Sequence, residues 1–169
     1  MRVMINGFGR IGRTVLRAWL EGRAQGQWPQ IEVVAVNDIA PAATCAYLFE
    51  YDSVFGPFPG GVTLEDRALV AAGHRLHLTH SPDISALDLT GIDLVMECTG
   101  HADRRDVAER GLRAGAGRVL ISGPAASADV TVVLGANEEG LSDAHKVVSN
   151  ASCTTNALAP LVRLLDGAF

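Results

Sequence analysis

The stretch that decides the fold is INGFGRIGR at residues 5–13, in which an apolar strand runs into a glycine turn and then into a helix. Gly7, Gly9 and Gly12 match the pattern G-x-G-x-x-G, directly after a predicted strand and at the start of a helix predicted from Arg10. The first glycine permits the tight turn, the second lets the backbone approach a pyrophosphate, and the third lets the helix pack on the strand. Free N–H groups at the helix start attract anionic phosphates. The spacing therefore predicts a phosphate-binding turn.

An acidic residue at the end of the second predicted strand extends this site. Ile31–Val36 is almost continuously apolar and is followed by Asn37 and Asp38. Asp38 is therefore predicted at the carboxyl edge of the sheet, where a carboxylate accepts hydrogen bonds from an adenosine ribose and repels a 2′-phosphate, which favours NAD over NADP. Two alternatives stay open: the glycines serve only a tight turn while Asp38 caps the next helix, and Arg10 either adds charge or lies across the surface.

The rest of the chain alternates strands with helices. The predicted strands are Arg2–Ile5, Ile31–Val36, Ala68–Ala71, Arg75–Thr79, Leu94–Glu97, Arg118–Ser122, Thr131–Leu134 and Lys146–Ser149. Four helices are predicted. The first starts at Arg10, the second extends from Ala42 to about Tyr51, the third extends from about Arg104 to Ala114, and the fourth closes the chain. Strand–helix–strand units with short links favour right-handed crossovers. The prediction is one α/β domain, Rossmann-like, with a mostly parallel sheet and helices on both faces.

Composition excludes several classes of protein. The net charge is −5 without any basic block, so nucleic-acid binding is not expected. Hydrophobic residues make up 48% of the chain and charged residues 20%, which is typical of a globular protein, and no apolar run is long enough to cross a membrane. The three cysteines Cys45, Cys98 and Cys153 lack metal-ligand spacing, which predicts no metal site and reduced thiols in the cytoplasm.

A second motif, SNASCTTN at residues 149–156, lies between a predicted strand and an apolar helix. Ser, Thr and Asn cap helix N-termini, so Cys153 is predicted at a helix start, where the positive end of the helix dipole favours a nucleophilic thiolate. Ser152 and Thr154 place hydroxyl groups beside it that suit an oxyanion or a phosphate. The other interpretation is a buried, inert cysteine with ordinary capping neighbours. Pro160 inside the helix predicts a kink or an irregular first turn.

Six motifs together carry a resemblance to one family. They are INGFGRIGR at 5–13, VND at 36–38, YDSVFG at 51–56, CTG at 98–100, ISGP at 121–124 and SNASCTTN at 149–156. The chain resembles the N-terminal half of phosphorylating glyceraldehyde-3-phosphate dehydrogenases over all 169 residues, and it is also similar to erythrose-4-phosphate dehydrogenases. The resemblance implies an NAD-binding domain at residues 1–150, and at 151–169 the nucleophile-bearing helix that starts a catalytic domain.

The resemblance also implies a mechanism. Cys153 attacks the aldehyde of glyceraldehyde 3-phosphate, hydride transfer to NAD⁺ gives a thioester, and inorganic phosphate cleaves it to 1,3-bisphosphoglycerate; in the erythrose enzymes water cleaves the thioester. Ser152 and Thr154 contact the substrate or the attacking phosphate. The implied cofactor-binding residues are Asn6, Gly7, Gly9, Arg10, Ile11, Gly12, Asp38, Thr99, Gly100 and Ser122. Among them, Arg10 and Ile11 contact the pyrophosphate and Asp38 contacts the adenosine ribose. Ser122 lies near the nicotinamide end, and Thr99 and Gly100 line the pocket.

The implied partners are a sugar phosphate, inorganic phosphate and further copies in a homotetramer, with a role in glycolysis. Three positions depart from the family. Ala157 replaces a frequent second cysteine, His80 stands where an arginine near the adenine is common, and Phe55 replaces a histidine. His80 is therefore interpreted as a surface residue. A stand-alone nucleotide-binding or thiol-sensing module, with Cys153 as an oxidisable switch, stays an alternative.

The general base of the family is a histidine beyond the nucleophile, whereas the histidines of this sequence all precede Cys153. We expect the 169-residue polypeptide by itself to bind NAD without meaningful dehydrogenase turnover, because general acid–base help alone contributes about 10²- to 10⁴-fold in rate. Measuring NADH formation by the purified polypeptide, with and without phosphate, checks this expectation. Phosphate-dependent NADH formation would contradict it.

Overall fold

The computed structural model describes all 169 residues, Met1–Phe169. The strands are β1 (Arg2–Asn6), β2 (Glu32–Asn37), β3 (Tyr51–Asp52), β4 (Gly56–Pro57), β5 (Val62–Glu65), β6 (Ala68–Ala71), β7 (His74–Thr79), β8 (Leu94–Glu97), β9 (Arg118–Ile121), β10 (Val130–Thr131) and β11 (Val147–Ser149). The α-helices are α1 (Arg10–Ala24), α2 (Ala42–Glu50), α3 (Arg105–Ala108), α4 (Arg110–Arg113) and α5 (Cys153–Ala168). Single 3₁₀ turns lie at Ile84–Ala86 and Glu138–Gly140.

Nine of the strands form one sheet in the order β10-β11-β9-β8-β1-β2-β7-β6-β5. The strands from β10 to β7 pair in parallel, and β6 and β5 continue the sheet in antiparallel pairing. The chain passes from β1 to β2 on one side and later returns to β8 on the other side, so the strand order reverses at β1. In open α/β sheets, ligands bind beyond the carboxyl ends of the strands at such a reversal.

Helices cover both faces of the sheet. Successive residues of a strand point to opposite sides, so each face of the sheet contributes side chains to its own hydrophobic cluster. On one face Val3 and Ile5 of β1 pack in a cluster with Leu16 of α1 and Phe49 of α2. On the other face Met4 packs in a second cluster with buried residues of β8, β9, β11 and the α3–α4 segment. The predicted α/β class with a mostly parallel, Rossmann-like sheet is therefore confirmed.

Three segments differ from their predictions. The helix predicted from Arg104 to Ala114 is divided into α3 and α4, and the short strands β3 to β5, between α2 and β6, are not among the predicted strands. The predicted strand Thr131–Leu134 retains only its first residue as strand. The Asn137 side chain accepts a hydrogen bond from the Val133 N–H at 2.8 Å and donates one to the Thr131 carbonyl at 2.9 Å, so these backbone groups pair locally instead of extending a strand.

Helix α5 lies on the surface, and none of its residues is buried. It continues without a break across Pro160. Arg163 holds it to the loop after β10 through the Ala136 carbonyl and a 3.1 Å ion pair with Glu139. No helix of the structure is long and apolar enough to cross a membrane. The domain division at residue 150 stays a prediction.

Asp129 joins α3 to β11. One of its carboxylate oxygens lies 2.6 Å from Arg105 Nη1, and the other accepts the backbone N–H groups of Lys146 and Val147 at 2.7 and 2.8 Å. The Val147 N–H, followed by the Arg105 side chain, favours the charged carboxylate and lowers the pKa of Asp129 to about 2. This carboxylate therefore stabilises the folded protein through three donors.

Asp129→Asn is expected to lower the free energy of unfolding at neutral pH by about 2 kcal/mol, because an amide replaces a charged acceptor of several donors. A carboxylate whose pKa is lower in the folded state stabilises that state above its ordinary pKa of 3.8, and this stabilisation is lost as the pH falls through about 2. Urea denaturation at several pH values checks this: the gap between wild type and variant should close between about pH 4 and about pH 2.

The control is Asp143→Asn, since Asp143 is fully exposed and contacts the Arg118 side chain in a surface ion pair. We expect nearly unchanged stability for this control at every pH. If the difference in free energy of unfolding between wild type and Asp129→Asn persisted at the lowest pH, the stabilising role of the Asp129 carboxylate would be contradicted.

Candidate functional site

A cleft of about 350 Å³ opens at the carboxyl edge of the sheet, where the strand order reverses. Its lining comes from the turn between β1 and α1, from the ends of β2 and β8, and from the loops that follow β7 and β8. Of the predicted cofactor-binding residues, the structure brings together in this lining Asn6, Gly7, Gly9, Asp38 and Thr99. The remaining predicted residues lie around the cleft rather than in its wall: Arg10, Ile11, Gly12, Gly100 and Ser122.

The glycine turn, residues 7–12, has little room at two of its glycines. A Cβ on Gly7 would lie 2.7 Å from the Cys98 carbonyl carbon, and the φ of Gly7 is +91°. A Cβ on Gly12 would lie 2.1 Å from the Gly7 carbonyl oxygen. These close approaches let the end of β8 and the helix α1 pack directly against the turn. The glycines therefore determine the shape of the cleft.

Gly9, the second glycine of the motif, faces open space. No atom lies within 4 Å of a Cβ built on Gly9, and Gly9 precedes α1 without any side chain that caps the helix. The first N–H groups of α1 therefore have no partner within the helix and are available to an anionic group. Arg10 and Ile11 are exposed at the same helix start. The turn thus fits a pyrophosphate, as its sequence predicts.

Asp38 lies between the glycine turn and the entry to α2. One carboxylate oxygen accepts the Phe8 N–H at 2.6 Å, and the other accepts the Ala40 N–H at 2.8 Å. Pro41 takes the N-cap position of α2, so the alternative that Asp38 caps this helix is wrong. Both carboxylate oxygens keep acceptor capacity for ribose hydroxyl groups.

A row of four polar side chains follows the strand ends beneath the cleft. Asn6, Asn37 and Glu97 are buried and line the cleft, whereas Thr79 is half-buried and continues the row outside the lining. The members of this polar row are Thr79, Asn37, Asn6 and Glu97, the last residues of β7, β2, β1 and β8. Thr79 Oγ1 donates to Asn37 Oδ1 at 2.8 Å, Asn37 Nδ2 donates to Asn6 Oδ1 at 2.8 Å, and Asn6 Nδ2 donates to Glu97 Oε2 at 2.5 Å. The sequence alone predicts no role for Asn37 or Glu97. Each is a polar residue at the end of an apolar strand, and such a residue does not reveal which neighbouring strand will satisfy it.

The CTG segment forms the wall of the cleft beyond β8. Thr99 donates its N–H to Glu97 Oε1 at 3.0 Å, and its hydroxyl donates to the same oxygen. Gly100 follows in a turn with a φ of +78°. Ser122 lies one strand further away, directly after β9, where its N–H donates to the Glu97 carbonyl at 3.0 Å. The nicotinamide contact of Ser122 stays a prediction.

His80 lies beside the cleft and is exposed. Its Nδ1 is 2.9 Å from the Asp38 carbonyl oxygen, and because a carbonyl only accepts, this ring nitrogen carries the proton. The cleft lining includes the next residues, Ser81 and Pro82, but not His80. The position of His80 agrees with its interpretation as a surface residue.

Cys153 is the first residue of α5, and its side chain is exposed. Ser152 is the N-cap, and its hydroxyl accepts the Thr155 N–H at 3.1 Å and lies 2.9 Å from Thr154 Oγ1. The alternative of a buried Cys153 is therefore wrong. The other two cysteines are buried, and burial raises the pKa of the Cys45 and Cys98 thiols to about 11.

The thiol and the glycine turn share the carboxyl edge of the sheet. Strand β11, which ends just before the Cys153 segment, is separated from β1 by β9 and β8. Three strand spacings amount to roughly 14 Å. A dinucleotide that lies across this edge would therefore reach from the Asp38 side toward the thiol. No cluster of three His, Cys, Asp or Glu side chains in the structure is arranged to hold a metal ion.

Comparison with known proteins gives the relatives of the chain. The family model described as "Glyceraldehyde 3-phosphate dehydrogenase, NAD binding domain" matches residues 1–105. The chain is 48% identical to the glyceraldehyde-3-phosphate dehydrogenase of Pseudomonas aeruginosa over 98% of its own length and 49% of the relative's. It is 48% identical to the enzyme of that name from Xanthobacter flavus and 46% identical to that of Thermotoga maritima, in each case over 99% of its own length. The chain thus spans about half the length of the curated relatives it matches.

Gly9→Ala is expected to fold with the stability of wild type, because a methyl group at this position meets no atom and the φ of −68° suits alanine. The same methyl group occupies the space through which a pyrophosphate approaches the backbone, so the variant should bind NAD at least about tenfold more weakly. Calorimetric titration with NAD together with urea denaturation separates the two effects.

Gly12→Ala serves as the comparison, since its Cβ would collide with the Gly7 carbonyl oxygen and should lower stability as well as binding. Wild-type affinity for NAD in folded Gly9→Ala would show that no phosphate group approaches this turn.

Proposed function

Because the chain belongs to the glyceraldehyde-3-phosphate dehydrogenase family and carries its NAD-binding domain, we propose that it forms the cofactor half of a phosphorylating, NAD-dependent glyceraldehyde-3-phosphate dehydrogenase and supplies its nucleophile, Cys153. The observation that carries this proposal is the exposed thiol at the start of α5, on the same sheet edge as the cleft above the glycine turn. A cofactor cleft and an accessible thiol on one edge are what an aldehyde dehydrogenase with a covalent intermediate requires.

The cofactor is held by groups that recognise its phosphates and its adenosine ribose. The free N–H groups at the start of α1, with the positive end of the helix dipole behind them, bind the pyrophosphate, and Arg10 and Ile11 lie at the same helix start. The Asp38 carboxylate accepts hydrogen bonds from the ribose hydroxyl groups and repels a 2′-phosphate, which selects NAD over NADP. Asn6 and Thr99 complete the lining of the cleft, and Gly100 follows Thr99 just outside it.

Cys153 performs the covalent chemistry in this proposal. Its sulfur attacks the aldehyde carbon of glyceraldehyde 3-phosphate and forms a thiohemiacetal, and oxidation of that carbon leaves a thioester on the same sulfur. NAD⁺, when bound, supplies the hydride acceptor for this oxidation. Inorganic phosphate then attacks the thioester carbon, releases the Cys153 thiolate and leaves as the acyl phosphate 1,3-bisphosphoglycerate.

The hydroxyl groups around the thiol support a phosphate-bearing substrate. Ser152 and Thr154 flank Cys153, and their hydroxyl oxygens lie 2.9 Å apart, so both can donate to the same anion or oxyanion after small rotations. Cys45 and Cys98 are excluded as nucleophiles, because burial keeps their thiols protonated at neutral pH. Only Cys153 combines exposure with a helix N-terminus.

The wider setting follows from the family. We place the protein in glycolysis in the cytoplasm, as a homotetramer whose partners are a sugar phosphate and inorganic phosphate. The net charge of −5 without a basic block gives no support for nucleic-acid binding.

Cys153→Ser in the full-length protein is expected to abolish NADH formation from glyceraldehyde 3-phosphate and to leave the affinity for NAD within about twofold, because the hydroxyl group is a far weaker nucleophile than the thiolate. The measurements are initial rates of NADH formation with and without phosphate, and a calorimetric titration with NAD. Cys45→Ala is the control, since Cys45 is a buried residue of α2 that does not line the cleft.

The same assay distinguishes the substrates. Faster, phosphate-independent oxidation of erythrose 4-phosphate would replace the proposed activity by that of the erythrose-4-phosphate dehydrogenases. Retained NADH formation in Cys153→Ser would refute the role of the thiol.

A further inference from the structure

Glu97 is a buried carboxylate for which the proposed reaction has no use. Only 3% of the residue is exposed, although it lies at the floor of the cleft. No Lys, Arg or His side chain forms an ion pair with it. Burying a charge without a cation is costly unless hydrogen bonds satisfy it, so its position calls for strong neutral donors.

The donors come from the two walls of the cleft. Asn6, at the end of β1 and just before the glycine turn, donates its side-chain amide to Glu97 Oε2 at 2.5 Å. Thr99, in the CTG segment that packs directly against the glycine turn, donates its N–H and its hydroxyl to Oε1. Three of the roughly four acceptor positions of the carboxylate are thereby filled. Glu97 is thus a bridge between the glycine turn and the wall beyond β8.

The sheet register makes this bridge part of a longer structure. Thr79, Asn37, Asn6 and Glu97 are paired one after the other as direct neighbours across β7, β2, β1 and β8. Every hydrogen bond of the polar row points its donor toward Glu97. Because a carboxylate only accepts, it requires the NH₂ group of Asn6 on its side, and this turns the Asn6 oxygen toward Asn37.

We propose that Glu97 is a positioning residue for the cofactor: by accepting from Asn6 on one side and from Thr99 on the other, its carboxylate fixes the two walls of the cleft at the separation that NAD binding requires. This inference rests on the NAD-binding assignment and adds a residue that acts through Asn6 and Thr99. An ordinary buried polar cluster would contribute to stability alone, whereas a positioning residue also sets the affinity of the folded protein.

An amide cannot replace the carboxylate at this position. Glutamine could still accept from Asn6 through its oxygen, but its NH₂ group would then face the N–H and hydroxyl of Thr99. Donors facing donors repel each other, so the Thr99 segment would move away from β8 and the cleft would lose its shape. Buried donors that are left unpaired are therefore expected to raise the dissociation constant of NAD about tenfold or more.

The test is the dissociation constant of NAD for Glu97→Gln, measured by calorimetry on protein whose folding is verified by circular dichroism. We expect the dissociation constant to rise about tenfold. Glu32→Gln is the matched control, since Glu32 is exposed at the start of β2, two strands from β8 and at the end of the sheet away from the cleft, and the affinity of this variant should equal that of wild type. A folded Glu97→Gln that binds NAD within about twofold of wild type, even with a lower urea midpoint, would overturn the proposal.

A pair of variants on the donor side covers the case in which Glu97→Gln does not fold. Thr99→Ser keeps the hydroxyl group that donates to Glu97, and Thr99→Val keeps the shape without it. The proposal expects a several-fold loss of NAD affinity in the valine variant and recovery in the serine variant. Equal affinities of these two variants would overturn it.

The wild-type titration separates this inference from the proposed function. Absence of NAD binding by the wild-type chain would count against the cofactor assignment itself and would remove the basis for a positioning role. Binding by wild type that Glu97→Gln leaves unchanged would refute only the role of Glu97.

Discussion

Four polar strand ends, three of them buried, can lie beneath the cleft only because each is the direct neighbour of the next. Thr79, Asn37, Asn6 and Glu97 close β7, β2, β1 and β8, and the parallel register brings them into one line. An unpaired buried polar group costs about 1–3 kcal/mol, so a register slip of one residue would leave several such groups without partners. The glycine turn directly follows Asn6 and the CTG segment directly follows Glu97, so the same row fixes where both begin. Cofactor binding and sheet register thus depend on one set of hydrogen bonds.

The three cysteines show how location decides the use of one side chain. Cys45 and Cys98 are buried, and this burial raises the pKa of each thiol to about 11 and keeps it protonated. Cys153 lies exposed at the first position of α5, with the hydroxyl groups of Ser152 and Thr154 beside it. Helix α5 itself buries no residue, so the segment that carries the exposed thiol is held mainly by its N-cap and by Arg163. Exposure of the thiol and weak packing of its helix therefore occur in the same segment.

Much of the fold could be predicted from periodicity and glycine placement. The strands β1, β2 and β8 and the helices α1, α2 and α5 agree with their predictions to within a few residues, because long apolar runs and capping residues are local signals. The strand predicted at Thr131–Leu134 is mostly wrong, since the Asn137 side chain takes the backbone groups that a strand would pair. The polar row was missed for a different reason. A single polar residue at a strand end carries no local signal of the neighbour that will satisfy it.

The sequence by itself determined the α/β class, the glycine turn, the acidic residue after β2 and the capped cysteine helix. Each is set by the conformational preference of a few consecutive residues, such as the positive φ of Gly7 or the N-cap hydroxyl of Ser152. Only the tertiary structure decided that Glu97 bridges Asn6 and Thr99, that Asp38 holds the Phe8 N–H rather than capping α2, and that Cys153 is exposed while Cys98 is buried. These features depend on which strands become neighbours, and that order is fixed by packing helices on both faces of the sheet rather than by any short stretch of sequence.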